Sequence, residues 1–234
     1  MHRFKAIEVN TSSLWNFDDT HMVSPQAQNR PGNRYLITCL TILWVGLILF
    51  GMSQLWRYQT TPGETSHSPA HWPSESQTTW NAFRPTLIMF AHPRCPCTRA
   101  SISELAQIMA YGSERVDARI EFFKPADFPQ DWEKSDLWES ASAIPGVTVS
   151  SDLDGDSARR FGATTSGFVV LYNTKGELVF QGGITGSRGH TGDNTGRTAV
   201  LSILSQGNSD KHETLTYGCP LLGQNQSCRQ EMKK

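Results

Sequence analysis

Two hydrophobic patterns divide the chain. From Tyr35 to Trp56 no Asp, Glu, Lys or Arg occurs, and no polar stripe recurs at helical spacing. At about 1.5 Å per residue this stretch reaches roughly 33 Å, enough to cross the hydrocarbon core of a bilayer. Tyr35 and Trp56 suit the two interfaces, and apolarity on every side predicts a membrane helix, not a buried soluble one.

Past residue 84 the pattern becomes that of a folded domain. Thr86 to Phe90 is a short apolar run between Pro85 and Pro93, as in a buried strand. Ile102, Leu105, Ile108 and Met109 recur at helical spacing, with Gly112 closing the run. Residues 118–123 read as a second strand, 132–143 as a helix around Trp132, Leu137 and Trp138, and 146–150 as a third strand. The run Asp152-Leu153-Asp154-Gly155-Asp156 resembles part of a calcium loop but lacks its later ligands, so a turn and helix cap are expected. Residues 168–172 and 177–181 flank Asn173-Thr174-Lys175-Gly176, which predicts a hairpin. Asp193 or Asn194 then caps a last helix carrying Val200, Leu201, Ile203 and Leu204.

The resulting organisation is a polar tail (1–34), a membrane anchor (35–56), a linker (57–84), a core-bearing domain (85–207) and a tail with Cys219 and Cys228 (208–234). With 234 residues and 38% apolar content, one such domain is expected. The linker has too little apolar surface to order itself, and His67 and His71 within it are expected to be solvated. Met22 offers a second start. Arg3, Lys5, Arg30 and Arg34 precede the anchor, whereas Arg57 alone separates it from Arg84. This bias leaves the N-terminus cytoplasmic and the domain outside, where disulfides are permitted. The apolar run exceeds the ~7–15 residues of a signal peptide, so an uncleaved anchor is expected. A net charge of −1, with no basic cluster, gives no case for nucleic acid.

The chemistry concentrates at Cys95-Pro96-Cys97-Thr98, where a strand ends and a helix begins. The helix dipole and free amides of a first turn favour thiolate there, and Arg94 and Arg99 flank the pair. Strand, loop, Cys-Pro-x-x and helix together resemble the active-site corner of the thioredoxin superfamily, with Cys95-Pro96-Cys97-Thr98 overlaying the Cys-Pro-x-Cys of glutaredoxins. The resemblance implies an α/β thioredoxin-like domain, a mixed sheet with helices on both faces. It places Cys95 at the attacking position and Thr98 at the usual resolving position. Cys97 comes one residue early, and a Cys95–Cys97 disulfide would close a small, strained ring. Thr165-Ser166-Gly167 stands where the fold usually carries a cis-proline.

Phe161-Gly162-Ala163-Thr164-Thr165-Ser166-Gly167, Gly182-Gly183-Ile184-Thr185, Arg188-Gly189-His190, Gly192-Asp193-Asn194 and Tyr217-Gly218-Cys219-Pro220-Leu221 together resemble the bacterial RedB proteins, membrane-associated and thioredoxin-like. In such a fold the loop 182–194 lies beside the active corner, and His190 is its only titratable ring. His190 is thus a candidate to hold Cys95 as thiolate, or to share a soft metal with Cys95, Cys97 and Cys219. Cys219 is a second candidate resolving thiol, closing a large ring.

Three functions follow. The first is a membrane-tethered thiol–disulfide oxidoreductase in which Cys95 attacks protein disulfides, Cys97 or Cys219 resolves, and no cofactor is needed. The second is a copper-binding module using Cys95, Cys97 and His190. The third is an inert interaction domain with structural disulfides. Pairing among Cys95, Cys97, Cys219 and Cys228 is open. Peroxidase chemistry ranks lower, since no Pro-x-x-x-Thr-x-x-Cys precedes the corner.

Overall fold

The structure, a computed structural model, describes residues 31–76 and 78–221. Most of the expected N-terminal tail, Met22 and Cys228 lie outside the described residues. Helix α1 covers Pro31–Thr60, longer than the expected 35–56. Nothing between Arg57 and Thr60 breaks a helix, and the next proline is Pro62. Its stretch Arg34–Thr60 has mean hydropathy 2.2 and is, by length and composition, long and apolar enough to cross a membrane.

The domain is built on five strands: β1 (Thr86–Ala91), β2 (Asp117–Lys124), β3 (Val147–Leu153), β4 (Phe168–Tyr172) and β5 (Leu178–Gly183). They lie in the order β3-β2-β1-β4-β5, with β1, β2 and β3 parallel and β4 and β5 antiparallel to their neighbours. Central β1 is buried at all six positions, which explains its unbroken apolar run. Four helices accompany the sheet: α2 (Pro96–Gly112), α3 (Asp136–Ser142), α4 (Asp156–Arg160) and α5 (Thr195–Gln206).

Alternation along β1 separates two cores. Leu87 and Met89 face Leu105 and Ile108 of α2 and Val200 of α5. Ile88 and Phe90 face the other way, onto Phe161, Phe168 and Tyr172. The expected mixed sheet with helices on both faces is therefore present. The hairpin between β4 and β5 turns as read. Asn173 Oδ1 accepts the N–H groups of Lys175 and Glu177, and Gly176 takes φ 74°. Asn194 caps α5 by accepting the Arg197 N–H at 2.8 Å.

The Asp-rich run is a cap and turn, as expected. Asp152 accepts the N–H groups of Ser157 (2.8 Å) and Ala158 (3.0 Å), and Asp154 accepts that of Ala126 (2.7 Å). The helix around Trp132 is shorter than the pattern implies. Pro129 and Asp131 (φ 68°) turn the chain first, and helix begins only at Asp136. Trp132 thereby tucks in beside Phe128 and His92.

The segment expected as a disordered linker is laid along the domain. Gly63 N–H donates to the Thr216 carbonyl (2.8 Å), Ser68 N–H to Gln181 Oε1 (2.8 Å), and the Tyr172 hydroxyl to the Pro69 carbonyl (2.8 Å). Trp72 packs edge-on against Phe161 and Tyr172 at 5.1 and 5.2 Å between centroids. The stretch is too polar to fold alone, yet its backbone and one indole find partners already fixed by the sheet. Residues 212–214 similarly cover the outer edge of β5, through Gln181 N–H to the His212 carbonyl (2.9 Å) and Thr214 N–H to the Gln181 carbonyl (3.1 Å).

Candidate thiol active site

Strand β1 ends at Ala91, and four residues later Cys95 caps α2 in an extended conformation, with Pro96 at the first helical position. Cys95 N–H donates to the His92 carbonyl (3.2 Å), and the Cys95 carbonyl accepts the Thr98 N–H (3.0 Å). These bonds hold the sulfur at the helix N-terminus. Cys95 is 1% exposed and Cys97 7%, so the thiols are shielded from bulk water.

The tail brings the third thiol. Residues 218–221 run antiparallel to 164–166, with Ser166 N–H donating to the Cys219 carbonyl (2.8 Å), Leu221 N–H to the Thr164 carbonyl (2.7 Å), and a bridge between Thr165 and Pro220. Gly218 is required at this contact, because a Cβ there would collide with the Ser166 carbonyl oxygen. Cys219 is thereby brought beside Cys95, close enough that each thiol shifts the titration of the other.

The electrostatics follow from these donors. Hydrogen bonds from Cys219, joined by the hydroxyl and N–H of Thr98, outweigh burial and bring Cys95 down to about 4. Cys219 is pushed upward, first by its bond to Cys95, then by burial. Cys97 is raised by burial and by the charge on Cys95, with Arg188 opposing. Near neutral pH the arrangement holds one thiolate, on Cys95, beside two protonated thiols. His92 is 7% exposed, stacks on Phe123 at 6.0 Å, and burial pushes its ring below the usual imidazole range.

The other expected site residues fall in different places. Thr98 is fully buried against Cys95. Arg94 is exposed and lies over the Trp132 ring at 5.1 Å, and Arg99 pairs with Asp136 on the surface. His190 is exposed, its backbone N–H donating to the Ser187 carbonyl at 3.3 Å. Among the described residues no group of three or more His, Cys, Asp and Glu side chains is placed to share a metal ion. The basic group that the loop does supply is Arg188. It donates to the Gly218 carbonyl (2.6 Å) and the Thr61 carbonyl (3.1 Å) and faces Cys97.

Three residues of the site carried little local signal. Ser166 was visible only as part of the proline-free stretch Thr165-Ser166-Gly167, Arg188 only as one residue of a glycine-rich loop, and His92 only as a neighbour of the cysteines. A cleft of about 580 Å³ along β3, lined by Arg119, Glu121, Asp152 and Arg159 among others, contains no cysteine.

No family model and no curated protein sequence matches the chain. Among solved structures it is similar to an uncharacterised conserved protein from Geobacillus kaustophilus, at 17% identity over 70% of this chain and 93% of that one, with TM-score 0.50. It is also similar to a secreted Mycobacterium tuberculosis disulfide oxidoreductase homologous to Escherichia coli DsbE (14% identity, 54% and 83% covered, TM-score 0.39). A third likeness is to a putative thiol:disulfide interchange protein DsbE from Chlorobium tepidum (16% identity, 63% and 96% covered, TM-score 0.39). The strand order, with β4 and β5 antiparallel and Cys95 capping the helix after β1, is that of a thioredoxin-like fold. At these identities the likeness is one of architecture, and the chemistry has to be argued from this chain's own thiols.

Proposed function

We propose that the protein is a membrane-anchored, extracytoplasmic thiol–disulfide oxidoreductase in which Cys95 is the nucleophile and Cys219 the resolving thiol. The observation that carries this reading is the docking of 218–221 on 164–166, which brings Cys219 to the helix-capping Cys95; the interaction between the two thiols favours thiolate on Cys95 and keeps the proton on Cys219. The Cys95 thiolate attacks one sulfur of a substrate disulfide, forming a mixed disulfide and expelling the other sulfur as thiolate. Cys219 then gives up its proton, which the expelled thiolate can take, and attacks the Cys95 sulfur. A Cys95–Cys219 disulfide forms and the second substrate sulfur leaves. Two electrons have passed to the substrate, and an external dithiol must return them.

Cys219 suits the second step better than Cys97. The 218–221 segment enters from across the sheet and closes a large loop, whereas Cys97 sits two residues from Cys95 on the same helix turn. The apolar length of α1 supports the anchor, and the basic bias before it supports an external domain. The resemblance to RedB proteins points to the same setting.

Trapping tests the roles. With a disulfide-bonded peptide as substrate, Cys219→Ser should accumulate a mixed disulfide on Cys95, and Cys95→Ser should exchange nothing. A mixed disulfide that persists in Cys97→Ser but resolves in Cys219→Ser would reverse the assignment of the second thiol.

A further inference from the structure

We propose that Arg188 is a positioning residue for Cys219, its guanidinium tying the peptide unit in front of this thiol to the C-terminal turn of α1. The inference deepens the reading of Cys219 as resolving thiol and rests on it.

A cysteine is aimed by the two peptide units on either side of its Cα. At Cys219 each unit is held by a bond from a different element. Its own carbonyl accepts the Ser166 N–H (2.8 Å), and the Gly218 carbonyl, which belongs to the preceding unit, accepts Arg188 Nη1 (2.6 Å). Pro220 has no N–H to add, so the next backbone anchor is Leu221 N–H on the Thr164 carbonyl (2.7 Å). Gly218 is buried, so water is a poor substitute for the guanidinium at its carbonyl.

Arg188 is in turn placed by the end of α1. The helix stops at Thr60, and Pro62 lacks the N–H that would continue its bonding pattern to the Tyr58 carbonyl. Carbonyls at the helix end are met from outside. That of Gln59 accepts the Arg188 backbone N–H (3.0 Å), and that of Thr61 accepts Arg188 Nε (3.1 Å). The guanidinium also lies 5.1 Å from the centroid of the Tyr58 ring, and a cation at this end suits the helix dipole. The Gly63 N–H, which a continuing helix would give to Gln59, goes instead to the Thr216 carbonyl (2.8 Å). The Glu64 carbonyl accepts the hydroxyls of Thr164 (3.2 Å) and Thr165 (3.3 Å), so the exit from α1 and the tail share one seat on 164–166.

One planar fork thus spans two carbonyls, Thr61 and Gly218, from segments far apart in sequence. Lysine carries the same charge on a single nitrogen and cannot reproduce that fork. Resolution by Cys219 therefore depends on the exit of the apolar helix being seated.

The test follows two rates in the full-length protein in detergent, with a disulfide-bonded peptide as oxidant. Attack by Cys95 is read as mixed-disulfide formation in a Cys219→Ser background. Closure of Cys95–Cys219 is read by quenched alkylation and peptide mapping. Arg188→Ala should slow closure about tenfold, the order lost with one hydrogen bond from a charged group, and should not slow attack. Arg188→Lys should not restore closure. Tyr58→Ala should slow closure about threefold, Tyr58→Phe should not, and Tyr58→Ala should add nothing in the Arg188→Ala background.

Closure at the wild-type rate in Arg188→Ala, with Cys219→Ser still trapping the mixed disulfide, overturns the role of Arg188 and leaves Cys219 in place. Equal slowing of attack and closure also overturns it, because general loosening would do the same. Full recovery in Arg188→Lys overturns the fork, and independent slowing by Tyr58→Ala overturns the tie to α1. A mixed disulfide that Cys219→Ser fails to trap overturns the reading of Cys219 and this inference together. Should Arg188→Ala fail to fold, Arg188→Lys and Tyr58→Ala carry the test, and wild-type closure in both overturns the inference.

Discussion

At Cys95 burial and hydrogen bonding pull in opposite directions. Burial alone would raise a thiol, but donors from Cys219 and Thr98 prevail and hold Cys95 at about 4. The sign of the resulting pH dependence follows. Between about pH 4 and the ordinary thiol range the unfolded chain carries a proton on Cys95 that the folded chain lacks. Stability from this group therefore rises with pH across that window and is lost as pH falls through the folded value. Cys219, raised by the same bond, opposes this at alkaline pH. The alkylation rate of Cys95 should level off at mildly acidic pH, while Cys219 should still be accelerating in alkali; mass spectrometry of the labelled peptides reads both. Equal profiles for the two would contradict the assignment. Legibility at this scale was uneven. Cys95, Cys97 and Thr98 could be read because motif and helix pattern coincide, whereas the approach of Arg188 to Cys97 could not, because side-chain direction from a loop with five glycines leaves no periodic trace.

Among the elements, β1, the β4–β5 hairpin and α5 were legible for a common reason: each carries its own period and its own turn or cap, from the buried run of β1 to Asn173 and Asn194. Residues 61–76 and 212–221 were not. Their order comes from donors and acceptors on strands remote in sequence, so composition alone made them a tether and a tail. The 218–221 segment matters most for function, and Gly218 is its weak point. Gly218→Ala forces the segment off the Ser166 carbonyl. The domain's thermal midpoint should fall only moderately, by about 5 °C, since Leu221 is the one side chain of the two cores carried on this segment, while Cys95–Cys219 closure slows by about tenfold or more. Rapid closure in this variant, measured by quenched alkylation, would show that the docked segment is dispensable.

In the whole molecule an apolar helix long enough to cross a membrane precedes the thiol-bearing domain, and the stretch that follows it has few basic residues. The charge bias predicts that a reporter active only outside the cytoplasm works when fused after Lys234; activity of a cytoplasm-only reporter at that point would reverse the orientation. Such a setting permits the disulfide on which the account depends. The most direct measurement is peptide mapping of the full-length protein, isolated from membranes with free thiols blocked and then oxidised by a peptide disulfide after mild reduction. The account predicts that Cys95 is found bonded to Cys219 and that one equivalent of peptide disulfide is reduced as the bond forms. Recovery of Cys95 as a free thiol, with the peptide disulfide intact, would contradict it.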